Sequence, residues 1–327
     1  MVGKITSSTI LSGSKAPVLM NQSHPTYGES RNDLLASHLN ALGKGSYIIG
    51  NQTVGEAAGW GNEFEGPIIK AAAERLGISK FNSEVTDVYK YKDLFAVSLD
   101  AIFYNEVMEI SSNDSIICMN ADKMKLRGNG VCEGKLTSVH YTETPPPYRG
   151  PWQLQMQMLC KGAKWGVIAT LYQGTRLVLN VYYADDYMQR QLIEAAQDFY
   201  ARLDGPDWYP AMSSNDAART WNNGEDHLPS VDLEPIADLA MQYYDAKRAA
   251  KAAEELAKDI EPKLMSHMAN HELAHLKDEN GEMMFELKWP TRSYKAQPEK
   301  ITPAKAARSE RQKSLTIPSK YFAGDYA

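Results

Sequence analysis

The most informative stretch of this chain is Cys132-Glu133-Gly134-Lys135. Two other polar stretches accompany it, Ser98-Leu99-Asp100 earlier in the chain and Gln153-Leu154-Gln155 later. In a β-strand the side chains at positions i and i+2 share one face, so Glu133 and Lys135 are predicted to point into the same pocket. Asp100 ends another apolar run, at residues 94–97. If these two strands pair, one carboxylate from each can hold a divalent ion, with the lysine alongside to orient a water. Metal-dependent cleavage of a phosphodiester requires this combination of groups.

The composition is that of an ordinary globular chain. Its 327 residues are 43% hydrophobic, which is enough for one large domain or two smaller ones. We expect no membrane segment and no signal peptide, because no apolar run is long enough to cross a bilayer and the N-terminus lacks the signal pattern. The three cysteines are scattered and odd in number, which argues against a disulfide framework. These features predict a reduced, cytoplasmic protein.

The charge distribution is uneven. The net charge is −6, yet the stretch Lys288–Lys320 holds nine basic residues and only two acidic ones. A basic tail on an acidic body can bind phosphates locally while the body repels them elsewhere. A solvated, partly disordered tail explains the same composition equally well.

The order of predicted elements indicates a mixed α/β (α+β) layer and not a regular βαβ repeat. Residues 1–50 are predicted to be helical and polar, with Ser30 as a helix cap. The segments predicted after them are a helix at Ile68–Leu76, strands at Leu94–Ile102, Ser115–Met119 and Gly130–Val139, a helix at Trp152–Leu159, a hairpin of Trp165–Tyr172 with Arg176–Tyr183, and a helix at Met188–Leu203.

A loop at residues 205–230, rich in Pro, Ser, Asn and Gly, marks a boundary. It divides the chain into residues 1–205 and a C-terminal extension, 206–327. Within the extension, Pro235–Leu264 predicts a long helix for packing or oligomerisation, and Asn280-Gly281 predicts a β-hairpin.

Short motifs in residues 1–205 resemble those of the YqaJ / lambda-type phage recombination exonucleases, a branch of the PD-(D/E)XK nuclease superfamily. Glu133-Gly134-Lys135 is similar to the Glu-x-Lys motif, and Leu99-Asp100 falls at the Pro-Asp position. The other matching segments are Ile5-Thr6-Ser7-Ser8, Trp60-Gly61-Asn62-Glu63-Phe64-Glu65, Tyr148, Gln153-Leu154-Gln155-Met156-Gln157 and Gly162-Ala163-Lys164-Trp165-Gly166. About thirty residues separate Asp100 from Glu133, so an inserted strand pair at Ser115–Arg127 is expected.

The resemblance implies a restriction-endonuclease-like core, with a mixed central sheet flanked by helices, followed by a C-terminal helical extension and a basic tail. It implies that Asp100, Glu133 and the Gly134 carbonyl bind Mg²⁺, with Mn²⁺ as a substitute. Glu65 would hold a second metal or a metal-bound water, and Lys135 would position the attacking water. Gln153 and Gln155 would contact the substrate backbone or support the site. Ser8 and Arg149 are also expected to contact DNA or its phosphates, Arg149 because a polyanionic substrate needs local positive charge.

The activity implied by the resemblance is 5′-to-3′ exonuclease digestion of double-stranded DNA ends in phage-type homologous recombination. The implied partners are a single-strand annealing protein and further copies of the chain in a ring. Two alternatives stay open, namely an endonuclease of the same superfamily and a non-catalytic DNA-binding or assembly protein. A remote alternative is a zinc metalloprotease, because His271-Glu272-Leu273-Ala274-His275 matches H-E-x-x-H. That site needs one helix, whereas the predicted hairpin would place His275 in or beside a strand.

Overall fold

The computed structural model describes residues 7–23, 28–50, 56–205, 207–222 and 229–290. The predicted basic tail beyond Pro290 therefore lies outside the described residues, as do Ile5 and Thr6. The chain divides into two compact units, Met1–Asn222 and Asn223–Ala327. None of the helices in the described ranges is long and apolar enough to span a membrane.

Seven α-helices occur within the described ranges: α1 Ala16–Leu19, α2 Arg31–Ala41, α3 Glu56–Arg75, α4 Pro151–Lys161, α5 Asp186–Ala201, α6 Ser214–Thr220 and α7 Ala237–Met268. Single 3₁₀ turns lie at Gly13–Lys15 and Glu234–Ile236. The predicted cap of α2 is confirmed, since the Ser30 hydroxyl accepts the Asp33 N–H while Asp33 accepts the Ser30 N–H. The helix predicted at Ile68–Leu76 begins earlier, at Glu56, and is followed by Gly77 with φ +68°.

Twelve strands occur within the same ranges: β1 Phe81–Asn82, β2 Tyr89–Tyr91, β3 Phe95–Val97, β4 Ala101–Phe103, β5 Val107–Ser111, β6 Ile116–Cys118, β7 Lys123–Arg127, β8 Gly130–Thr137, β9 Trp165–Tyr172, β10 Arg176–Tyr183, β11 Leu273–Lys277 and β12 Met283–Lys288. The central sheet has the order β1-β4-β8-β9-β10-β6. It is mixed, because β8 pairs parallel with β9 while β4 pairs antiparallel with β8.

Helices cover both faces of this sheet, which confirms the predicted mixed α/β class. On one face α3 packs its apolar residues, such as Ile69 and Ala72, against Cys132 and Val167. On the other face α1, α2, α4 and α5 form a core with Val131 and Ile168. Side chains alternate between the faces along β8, so Glu133 and Lys135 lie on the α4 side and Gly134 on the α3 side.

Two strand predictions need correction. The segment predicted as a single strand from Leu94 to Ile102 is broken into β3 and β4, because the chain bends at Asp100, whose carboxylate accepts the backbone N–H of Gly134. In the insertion, β6 and β7 do not pair with each other. Strand β6 extends the central sheet beside β10, and β7 pairs with β5.

The segment predicted as a loop at 205–230 contains α6, and the first compact unit reaches Asn222. Helix α6 is held to α2 by buried polar groups, because Arg219 donates to both oxygens of Asp33 at 2.8 and 2.7 Å and Ser30 donates to Asp216 at 2.6 Å. Ser213 caps α6 by accepting the Asp216 N–H. A short polar helix that is held by residues far away in the sequence shows no apolar periodicity of its own. For this reason the composition of the segment indicated a loop.

In the second unit the predicted long helix and hairpin are both confirmed. Helix α7 runs from Ala237 to Met268, and β11 pairs antiparallel with β12 around the turn that contains Gly281. Gly281 has φ +85°, a left-handed conformation that glycine adopts without steric cost.

Candidate active site

The pairing of β4 with β8 brings Asp100 beside the Glu133-Gly134-Lys135 stretch. Ala101 lies opposite Cys132, so the residue before β4 falls next to Glu133. The Asp100 carboxylate accepts a hydrogen bond from the Gly134 N–H at 3.0 Å. The predicted pairing of the two segments is therefore confirmed, and residues more than thirty positions apart meet at one place on the sheet.

Glu133 and Lys135 share one face of β8, as their spacing predicts. The Lys135 ammonium donates to Glu133 Oε1 at 2.5 Å and to the Gln153 side-chain oxygen at 3.2 Å. Gln153, from α4, donates to the same Glu133 oxygen at 2.6 Å. The Glu133 side chain is buried, whereas the Lys135 side chain keeps 34% of its surface exposed. A lysine side chain with this exposure can contact both a buried carboxylate and a molecule arriving from solvent.

A second glutamine of α4, which the sequence interpretation did not select, also holds Glu133. Gln157 donates to Glu133 Oε2 at 2.5 Å and to the Ser98 carbonyl at 3.4 Å. Gln153 and Gln157 are four residues apart, so they lie on the same face of the helix, a signal that was available in the sequence. Gln155 lies elsewhere, since it donates to the Tyr183 carbonyl and accepts the Asp185 N–H at the start of α5.

Glu65 approaches Gly134 from the opposite face of the sheet. A Cβ placed on Gly134 would lie 3.5 Å from Cγ of Glu65 and 3.7 Å from Cγ1 of Ile69. These are ordinary van der Waals distances, so α3 packs directly against the backbone of β8 at Gly134. This packing places the Glu65 side chain beside the Glu133-Gly134-Lys135 stretch.

The electrostatics of this cluster are dominated by carboxylates. Burial, followed by the charges of Glu133 and Glu65, holds the pKa of the Asp100 carboxyl well above its ordinary value. Complete burial, and after it the negative charges of Asp100, Glu133 and Glu65, raises the pKa of the Cys132 thiol, which stays protonated and unreactive. Burial opposes the charge on Lys135, but the Glu133 carboxylate outweighs it and the pKa of the ammonium is raised.

The donor types and charge of the cluster suit a hard divalent cation. Asp100, Glu133 and Glu65 supply carboxylate oxygens. Lys135 is the positively charged group beside them and offsets part of their negative charge. Within the described part of the chain, no three His, Cys, Asp or Glu side chains are already arranged as a metal-binding group. Glu133 Oε1 accepts two hydrogen bonds and Oε2 accepts one, so Oε2 keeps a lone pair that could coordinate an ion.

The two remaining predicted contacts lie outside this cluster. Arg149 donates to the Thr137 hydroxyl and lies 5.6 Å from the centre of the Tyr148 ring. Its Nε is buried and has no hydrogen-bond partner among the described residues. Ser8 is exposed on a turn that precedes Leu11, and Leu11 bridges to Phe95 of β3.

The H-E-x-x-H segment does not form a zinc-protease site. Its residues run into strand β11 and not along a helix, so His271 and His275 lack the one-turn spacing that the site needs. His275 instead contacts Glu286 of β12 at 3.0 Å. The remote protease interpretation was wrong because a hairpin, and not a helix, carries the motif.

The chain was compared with known proteins at the levels of sequence and structure. No protein-family description matches the sequence, and no curated protein is detectably similar. Among solved structures, the chain is similar to LHK-Exo in complex with dAMP, at 16% identity and a TM-score of 0.42, over 61% of this chain and 89% of that one. The alkaline exonuclease LHK-Exo from Laribacter hongkongensis matches over the same shares at 16% identity and a TM-score of 0.39.

SSO0001 is similar at 13% identity and a TM-score of 0.37, over 63% of this chain and 83% of that one. A likeness at these levels carries no argument about activity.

Proposed function

We propose that this chain is a metal-dependent DNA nuclease of the YqaJ / lambda type, with a PD-(D/E)XK core. The observation that carries the proposal is the meeting of Asp100, Glu133 and Lys135 on paired strands, with Glu65 approaching from α3. A buried group of carboxylates is costly unless a cation or a proton compensates it. A protein that only binds DNA gains nothing from such a group.

Mg²⁺, or Mn²⁺ in its place, would be held by Asp100, Glu133, the Gly134 carbonyl and Glu65. The bound ion would lower the pKa of water and neutralise charge on the scissile phosphate. Lys135 would donate to the attacking water or to a phosphate oxygen, since its ammonium is charged and its side chain is partly exposed. Gln153 and Gln157 would keep Glu133 in place while Lys135 turns toward the substrate.

The substrate we propose is the end of a DNA duplex, digested from the 5′ end. Arg149 supports phosphate binding, because its half-buried guanidinium keeps one nitrogen without a partner among the described residues. Ser8 and Gln153 are proposed to add contacts to the DNA backbone. The proposed setting is phage-type recombination in a bacterial cytoplasm, together with a single-strand annealing protein and in a ring of several copies.

The test is hydrolysis of linear duplex DNA with 5′-phosphate or 5′-hydroxyl ends, with Mg²⁺ or with EDTA. We expect Mg²⁺-dependent release of nucleotides from the 5′ end by the wild type and a loss of at least about a hundredfold in Lys135→Ala. The matched control is Lys125→Ala. Lys125 forms an exposed ion pair with Glu109 at 3.3 Å and should be dispensable for hydrolysis.

Three outcomes would contradict parts of the proposal. Closed circles cut as fast as linear DNA would indicate an endonuclease. Binding without any cleavage would indicate a non-catalytic DNA-binding protein. Equal activity in Lys135→Ala and Lys125→Ala would show that the cluster around β8 takes no part in hydrolysis.

A further inference from the structure

Helix α7 carries an apolar stripe that is exposed along almost its whole length. Leu239 is 62% exposed and Leu264 is 42% exposed. One set of apolar residues along the helix is separated alternately by four and three residues, in the order Leu239, Tyr243, Ala246, Ala250, Ala253, Ala257, Ile260 and Leu264. This is the heptad repeat of a coiled coil, sustained over almost four heptads.

These eight residues, here called the seam, form the kind of surface against which a second helix packs. The alanines within it are all exposed, and so is Ile260, at 41%. The hairpin of β11 and β12 leaves them uncovered, and only Met268 at the end of α7 is buried. Helices that show a strict 3–4 seam bury it against a partner, since an exposed apolar stripe is unfavourable in water.

We propose that α7 pairs antiparallel with α7 of a second copy of this chain. In this pairing the seam is complementary to itself in size. Leu239 meets Leu264 of the second copy, and Tyr243 meets Ile260. At the centre Ala250 meets Ala253, which lets the two helices approach closely.

The charges beside the seam select the antiparallel direction. Lys247 and Glu254 occupy equivalent positions flanking the seam, and antiparallel pairing places each opposite the other in the second copy, twice per dimer. A parallel pair would instead set Gln242 against Lys247 and Ala249 against Glu254, with no opposite charges facing. Both side chains are exposed, and Glu254 also contacts Lys258 of its own helix at 2.7 Å. Such an exposed contact is weak and does not prevent the intermolecular one.

The rest of the helix is compatible with this pairing. Pro262, the proline within α7, lies on the face opposite the seam, so its ring does not block a second helix. The proposal does not depend on the nuclease activity, because no residue of α7 belongs to the cluster around β8.

The test measures the mass of the full-length chain by sedimentation over a range of concentrations. We expect a dimer, or a multiple of a dimer, in the wild type. Ala253→Glu should weaken this association by at least about a hundredfold, because it buries a charge in the seam. The matched control is Ala252→Glu, one residue away on the outer face, which should associate like the wild type. Circular dichroism of each variant checks that helix content is unchanged.

Charge reversal tests the direction of pairing. Lys247→Glu alone and Glu254→Lys alone should each weaken association about tenfold, whereas the double variant should restore it. A monomeric wild type would overturn the proposal, and so would equal effects of Ala253→Glu and Ala252→Glu. Failure of the double variant to restore association would overturn the antiparallel arrangement.

Discussion

Asp100 carries a charge that is unfavourable in the folded chain. Burial, followed by the charges of Glu133 and Glu65, raises the pKa of Asp100, so its ionised form costs folding free energy. We expect Asp100→Asn to raise the melting temperature in EDTA, by about 2–4 °C for each kcal/mol of repulsion removed. An asparagine oxygen can still accept the Gly134 N–H, so the bend between β3 and β4 is retained. The same variant should lose Mg²⁺-dependent hydrolysis.

The control for this measurement is Asp33→Asn in EDTA. Asp33 is also buried, but its partner is the Arg219 guanidinium, so neutralising it should lower the melting temperature. If Asp100→Asn lowered the melting temperature as Asp33→Asn does, the carboxylates around β8 would not repel one another and the argument for a cation site would fail.

At the scale of the element, α4 divides its glutamines between two tasks. Gln157 holds Glu133, whereas Gln155 joins the end of β10 to the start of α5. We expect Gln157→Ala to lower kcat about tenfold or more, because it removes a donor that holds Glu133 in place. Gln155→Ala should lower the melting temperature without affecting kcat, since a buried acceptor and donor lose their partners. Steady-state hydrolysis and thermal unfolding of both variants measure the difference, and a reversed pattern would refute this division.

The buried polar contacts between α2 and α6, here called the joint, predict how the stability of the folded chain depends on pH. Burial opposes the charge on Asp33, but hydrogen bonds from Arg219, Ser30 and Gly50 outweigh it and the pKa of this carboxyl is lowered. A lowered pKa in the folded state stabilises the protein above the ordinary carboxyl pKa, and the stabilisation is lost as the pH falls through the lowered value. We expect Asp33→Asn to cost on the order of 3 kcal/mol at pH 7, because it leaves Arg219 without its carboxylate.

The measurement for this joint is urea unfolding of the wild type and Asp33→Asn between pH 7 and pH 3. The difference in unfolding free energy should stay constant down to about pH 5 and shrink below the ordinary carboxyl range. A difference that grew as the pH fell would show that the joint does not depend on the ionised carboxylate.

Elements with strong local signals could be predicted from the sequence, and those set by distant partners could not. The cap at Ser30, the long helix α7 and the hairpin at Gly281 depend on neighbours within a few residues. Helix α6 depends on Asp33 and Ser30, which lie more than 180 positions earlier in the chain. The partners of β6 and β7 likewise follow from tertiary pairing, which no local pattern specifies.

At the scale of the whole molecule, the site could be predicted in part because strand geometry is rigid. The i, i+2 spacing of Glu133 and Lys135 fixes a common face, and the apolar run before Asp100 fixes a neighbouring strand. Gln155 was chosen by its place in a motif, whereas helical periodicity selects Gln153 and Gln157. The sequence contains no information on which oxygens of Glu133 are already engaged, because that depends on how α4 packs on the sheet.

The charge asymmetry of the chain leads to a prediction about DNA binding. A body with a net negative charge repels a duplex, so we expect the basic stretch that begins at Lys288 to supply much of the attraction. Ending the chain at Pro290 should weaken binding to duplex DNA and reduce the salt dependence of the affinity, by a slope of about 0.9 for each DNA phosphate that the tail no longer neutralises. Cleavage at saturating DNA should be unchanged, since the residues around β8 are retained.

The sharper form of this experiment keeps the length of the chain and replaces the basic residues beyond Pro290 with glutamine. Titrating labelled duplex DNA at several salt concentrations gives the slope for the wild type, the shortened chain and the glutamine variant. If charge is the cause, the shortened and glutamine variants show the same reduction in slope, because counterion release depends on positive charge and not on chain length. An unchanged slope in the glutamine variant would mean that the tail is only solvated, and the attraction for DNA would then have to come from Lys135 and Arg149 beside the cluster.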